Sequence, residues 1–259
     1  MTFIRQGILS QLQLAVQSDK PSKFKDLKKY IGTSLDFIGL SVPQQRLVFK
    51  KGFSFSKAPL AEQLSVWDDI WQNSGHYEMM NLAQMFASKN LASFEPDFLW
   101  KTVKQWVAQV DNWAHSDGLS SIYARLLESV PDLIYSQYQA WNNSNNPWER
   151  RQSVVGIMYY STVRKSHQPF ERTLALLLPL LKDENYFVQK GVGWALREMG
   201  NVYPEETLIF LVENIKFIHA AAFSAAIEKF DQDTKDRLKQ LRKTGRKTKT
   251  GNIPTTDPA

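Results

Sequence analysis

Residues Asn185–Gly200 read NYFVQKGVGWALREMG. Phe187, Val188, Val192, Ala195, Leu196 and Met199 recur there at steps of three and four, the period of an amphipathic helix rather than a strand. Gly191 and Gly193 interrupt the pattern. Each costs roughly 1 kcal/mol relative to alanine inside a helix, which points to close approach to the backbone, by a neighbouring helix or by a ligand. Lys190, Trp194 and Arg197 follow at steps of four and three and so share one stripe. That stripe has two readings: a face for an anion that carries sugar rings, or a half-buried tryptophan flanked by solvated charges.

The segment repeats. Sliding NPWERRQSVVGIMYYS (Asn146–Ser161) onto it by 39 residues sets Trp148 over Phe187, Arg151 over Lys190, Val154 over Gly193, Val155 over Trp194 and Ile157 over Leu196. GHYEMMNLAQMFASK (Gly75–Lys89) fits the same register more loosely. A period near 40 residues is that of HEAT or armadillo helix pairs, which bury their faces only by stacking on neighbours. The expected fold class is therefore an all-α solenoid of HEAT-like helical repeats. The second helix of each pair would form a concave wall bearing Arg151 and Lys190.

Punctuation supports helices throughout. Pro43, Pro59, Pro96, Pro131, Pro147, Pro169 and Pro204 each open a helix-patterned run, where a fixed φ and a missing N–H are tolerated. Ser41, Asn146 and Asp183 near Asn185 are candidate capping side chains. The spacing predicts helices that include 24–30, 96–110, 112–128, 147–162, 218–229 and 234–243. No run alternates with period two, so strands are not expected. The repeats occupy 1–242. Beyond Arg242 the polar, basic stretch KTGRKTKTGNIPTTDPA is expected to be a mobile tail, 243–259.

The chain of 259 residues is long enough for a substantial core. It has no cysteine, which excludes disulfides and thiolate chemistry and fits a reducing compartment. The N-terminus lacks a secretory pattern and no run approaches a membrane span, so a cytoplasmic protein is expected. From Asp231 onward eight Lys and Arg stand against four Asp, a local +4 of the total +6, which leaves +2 for everything before it. A nucleic-acid face must then arise from the sorting of charges, with the tail adding a nonspecific term.

Three segments stand out chemically. In DNWAHSDGLSS (Asp111–Ser121), Trp113 and Asp117 lie four apart on one helical face, with Asp111 as a candidate cap. A carboxylate at the edge of an apolar surface attracts a nearby cation strongly, although Trp113 read alone could equally be core. In NPWERR, Arg151 follows Trp148 by three with Arg150 beside it, near a helix start that favours phosphate. Trp148 itself reads first as a packing residue. The third segment is the Lys190, Trp194, Arg197 stripe. His76, His115, His167 and His219 lack metal-ligand spacing, so no metal is expected. Phosphate-loop, dinucleotide and serine-hydrolase motifs are all missing.

NWAHSDGL, PWERRQSVV, YFVQKGVGWALRE and GLSVPQQR (Gly39–Arg46) together resemble the AlkD-type DNA alkylation repair glycosylases, over about 30–229. The resemblance implies a cupped α-solenoid that binds duplex DNA on its concave face. It implies hydrolysis of the N-glycosidic bond of cationic N-alkylpurines such as 3-methyladenine and 7-methylguanine, without a tight base pocket. Asp117 matches the family's catalytic aspartate, Trp113 and Trp194 its two tryptophans, and Arg151 the arginine close to the lesion backbone. Arg150, Lys190 and Arg197 are added here as DNA-backbone contacts from their position. No cofactor is implied, and a monomer is expected. Where family members tend to carry Arg or Lys, Phe217–Phe230 has only His219 and Lys229. The alternative function is a noncatalytic HEAT-repeat module that binds DNA or serves as a protein scaffold.

Overall fold

The computed structural model describes residues 1–17 and 26–247. It divides into two compact units, Met1–Ile157 and Met158 onward. The first contains α1 (Thr2–Gln17), α2 (Leu27–Ile31), α3 (Val42–Lys51), α4 (Leu60–Asn73), α5 (Tyr77–Lys89), α6 (Pro96–Val103), α7 (Trp113–Ser129) and α8 (Pro131–Asn142), and it ends on α9 (Pro147–Met158). The second contains α10 (Phe170–Leu180), α11 (Tyr186–Val202), α12 (Pro204–Asn214), α13 (Ala220–Ala226) and α14 (Gln232–Lys247). The all-α reading holds: among the described residues there is no strand, only an isolated bridge between Asp36 and His76.

All seven prolines stand at helix starts, as N-cap or within the first two residues. Ser41 and Gln44 form a reciprocal capping box on α3. Asn146 Oδ1 accepts from Trp148 N at 2.9 Å, and Asn185 Oδ1 from Phe187 N at 2.9 Å. Asp111 is not the cap of α7. Asn112 takes that position and accepts from His115 N at 2.9 Å.

In the first unit Trp67, Trp71, Trp100, Trp106, Tyr123 and Tyr138 are fully buried. Trp71 and Trp106 stack at 4.9 Å. Their packing corrects the helix expected over 96–110, which stops at Val103 and continues as a 3-10 turn, Lys104–Gln109. The turn lets Trp106 O accept from Trp71 Nε1 at 2.8 Å while its own indole donates to Asp68 at 2.7 Å. Gly39, at φ 94°, completes a bend in which the N–H groups of Ile38, Gly39 and Leu40 all donate to the buried Glu78 carboxylate.

In the second unit α11 is central, packed against α10, α12 and α13. A Cβ on Gly193 would lie 2.6 Å from the Ala222 Cα, so this glycine accommodates helix–helix contact. The same contact fits the alanine-rich sequence of α13, whose small residues permit the approach. Part of the helix expected over 24–30 lies outside the described residues. The helix expected over 234–243 extends to Lys247, five residues into the stretch read as tail, and 248–259 lie outside the described residues.

Candidate active site

The N-terminal halves of α7 and α9 meet in a polar seam. Asp117 lies one helical turn after Trp113 on α7, and Arg151 Nη2 donates to its Oδ1 at 2.7 Å. The arginine side chain is 7% exposed and the aspartate 37%. Arg151 Nε also donates to Ser116 Oγ at 3.1 Å. Beneath them Gln152 Nε2 donates to Ser116 O at 2.6 Å, and Ser120 Oγ donates to Gln152 Oε1 at 2.8 Å. The arginine therefore arrives rigidly from the core, while part of the carboxylate faces outward.

Trp113 is half-buried and its indole N–H donates to Tyr30 O at 3.2 Å. The Tyr30 ring meets it edge-on at 5.5 Å. The segment that carries Tyr30 is anchored from below, because Asp111 accepts from Thr33 Oγ1 at 2.8 Å and from Ser34 N at 2.7 Å. Burial pushes the Asp111 carboxyl up, but its hydrogen bonds from Asn112, Ser34 and Thr33 outweigh burial and hold it below its ordinary value. Asn112 Nδ2 bridges Asp111 Oδ1 at 2.8 Å and His115 Nδ1 at 3.0 Å. His115 is fully buried, and burial pushes it down to about 4. Its neutral ring donates through Nε2 to Tyr77 O at 3.2 Å.

Next to this face, α3, α5 and α7 enclose a groove of about 490 Å³ lined in part by Arg46, Tyr77, Asn81, Gln84, Lys89 and Gly118. Arg150 faces elsewhere, donating to Ser144 O at 2.8 Å and Asn145 O at 3.1 Å in the turn before α9.

The second unit holds the rest of the expected set. Trp194 is half-buried, with Tyr159 tilted against it at 4.9 Å and Tyr160 edge-on at 5.8 Å. The Arg197 guanidinium stands 5.6 Å from its ring centre. Arg197 also pairs with Glu228 at 2.9 Å and Glu198 at 3.2 Å. Lys190, one turn before Trp194, is exposed. The structure thus unites Asp117 and Arg151 in one seam, with Trp113 one helical turn before Asp117, and Trp194 with Arg197 in another. Tyr30, Ser116, Gln152, Tyr159 and Tyr160 were missed. None stands in a pattern that announces itself, although Gln152, Tyr159 and Tyr160 lie within the quoted repeat and Ser116 within DNWAHSDGLSS.

Fold and side chains define a helical-repeat protein with a carboxylate locked by arginine beside an indole. The sequence profile of the family described as "DNA alkylation repair enzyme" matches residues 11–230, and the chain belongs to that family. Membership supports an enzymatic role in DNA alkylation repair. A solved structure titled "Predicted DNA alkylation repair enzyme from Enterococcus faecalis" is similar at 16% identity and TM-score 0.67, over 80% of this chain and 94% of the other. AlkD2 from Streptococcus mutans is similar at 16% identity and TM-score 0.54, over 85% of this chain and 99% of the other. At such identity the likeness speaks for the fold. No curated protein matches. No helix among the described residues is long and apolar enough to cross a membrane.

Proposed function

We propose that the protein is an N-alkylpurine DNA glycosylase that hydrolyses the N-glycosidic bond of cationic bases such as 3-methyladenine and 7-methylguanine in duplex DNA. The observation that carries this reading is the Arg151–Asp117 pair, a partly exposed carboxylate fixed by a buried guanidinium one helical turn from Trp113. An alkylated purine already bears the positive charge that makes it a leaving group. As C1′–N9 breaks, its electron pair passes to the base and cancels that charge, so no general acid is needed. Positive charge then develops on the sugar, where Asp117 stabilises it and orients the water whose oxygen bonds to C1′. The proton of that water passes to the carboxylate or to solvent. The Trp113 ring adds a cation–π contribution of roughly 0.5–2 kcal/mol.

Arg151 is directed at Asp117 and Ser116, and its role in this reading is to position the carboxylate. Trp194 acts as the second indole implied by the family resemblance. Among the three proposed backbone contacts Lys190 is the exposed one, whereas Arg150 and Arg197 already engage loop carbonyls and glutamates. Incubation with duplex DNA containing 7-methylguanine should release the free base. Asp117→Asn should abolish release and leave DNA binding largely intact. Equal release by both proteins would remove Asp117 from the mechanism. Binding without release in the wild type would favour a noncatalytic DNA-binding module, and no binding at all a protein scaffold.

A further inference from the structure

The helix expected over 147–162 ends instead at Met158, and the chain turns sharply at Tyr159 and Tyr160 before a 3-10 turn, Ser161–Val163. Tyr160 has φ 44° and ψ 62°. Among the described residues it is the one non-glycine residue with positive φ. That conformation is unfavourable for any L-residue and especially for a bulky one, so the surrounding structure must hold it.

What holds it is a buried network. Glu198, 5% exposed, accepts from Ser161 N at 3.0 Å and from Ser161 Oγ at 2.8 Å. His167 Nε2 lies 2.8 Å from Ser161 O and closes the other side of the turn. Arg197 and Asn201 fix the same carboxylate from α11. Glycine would take this bend without strain, yet the chain places there a tyrosine that is 54% exposed. The bend sets that ring edge-on to Trp194.

From this geometry we infer that Tyr160 is a DNA-contacting residue, an outward aromatic that extends the Trp194 wall, and that Glu198 is its positioning residue. The inference rests on the proposal that this protein acts on duplex DNA. An exposed ring locked beside an indole offers a preorganised surface for a nucleotide, because its orientation is set before binding. A strained turn that only connected two helices would gain nothing from the exposed ring.

The test uses the whole protein with duplex DNA, unmodified and carrying one 7-methylguanine. Tyr160→Gly suits the backbone conformation, so its thermal midpoint should stay within a few degrees of wild type. Affinity for duplex DNA should fall about tenfold, in line with the loss of one aromatic–nucleotide contact. Tyr160→Phe, which keeps the ring, should recover most of that affinity. Glu198→Gln should weaken binding too, but should add little in the Tyr160→Gly background, because the two act through one contact. Unchanged affinity in Tyr160→Gly, or failure of the wild type to bind duplex DNA, would overturn the inference. If the wild type binds but releases no base, the glycosylase reading fails while the affinity comparison still decides the role of Tyr160.

Discussion

Two roles for Arg151 predict different measurements. If it contacted phosphate, Arg151→Gln would weaken binding to all duplexes and reduce the slope of log affinity against log salt by about 1. As a positioning residue it should leave that slope unchanged, while base release falls at least tenfold as the carboxylate loses its anchor. Folding stability should fall by about 1–2 kcal/mol, the loss of a charged hydrogen bond discounted for the partial exposure of Asp117. Chemical denaturation and salt-dependent binding on one variant separate the two roles. The difference marks how far the site was legible. Trp113 and Asp117 could be paired from sequence because helical period alone puts them on one face. Arg151 lies 34 residues away from Asp117, and its side-chain direction depends on how α9 packs against α7, which no local pattern encodes. Tyr30 was out of reach for a similar reason, since it belongs to a five-residue helix and meets Trp113 only through tertiary contact.

Helix starts were legible because proline and asparagine act locally, on N–H groups within a few residues of themselves. Helix ends were less so. The ends of α6 and α9 are set by Trp71, Asp68 and Glu198, all of which arrive from other helices. The reason for Gly193 was likewise open until its neighbour was known. Gly193→Ala should destabilise the protein by about 1–3 kcal/mol, because the Cβ meets α13 backbone rather than a movable side chain. Gly200→Ala provides the contrast. Its Cβ would meet nothing closer than 3.7 Å, so the substitution should be neutral or gain up to about 1 kcal/mol in urea unfolding. The start of α7 predicts an acid response. His115 is pushed from 6.5 to about 4 by burial, so between those values the unfolded chain binds the additional proton. Its contribution is complete above pH 6.5 and is lost as pH falls, by about 2 kcal/mol at pH 5 and about 3 kcal/mol in all. His76 is also lowered, chiefly by burial, and adds loss of the same sign. Unfolding free energies at pH 7 and pH 5 measure the sum, and an NMR titration of His115 isolates its part. Protonation of the folded protein near pH 6.5 would contradict the neutral ring bonded to Asn112 and Tyr77.

Across the whole molecule the charge is distributed differently from the basic tail suggested by sequence. Of the eight Lys and Arg from Asp231 onward, all but Lys249 fall within α14. Arg242 is already committed: it donates to Ile215 O and Ile218 O and stacks on Phe223 at 4.6 Å, so it ties α14 to the turn between α12 and α13. Residues 248–259 carry one Lys and one Asp, whose charges cancel. If the C-terminal region strengthens DNA binding, the effect must come from the helix and not from the twelve residues after it. Removal of 248–259 should therefore leave both affinity and its salt dependence unchanged. Replacing Lys243, Arg246 and Lys247 together by Gln should weaken binding at low salt and lower the salt slope by up to about 3, since each released phosphate contact contributes about 0.9. Neither change should slow base release at saturating protein, because neither touches Asp117. A loss of affinity on truncation alone would place the contact beyond Lys247, and an unchanged slope in the triple variant would show that DNA is gripped by the helical repeats alone.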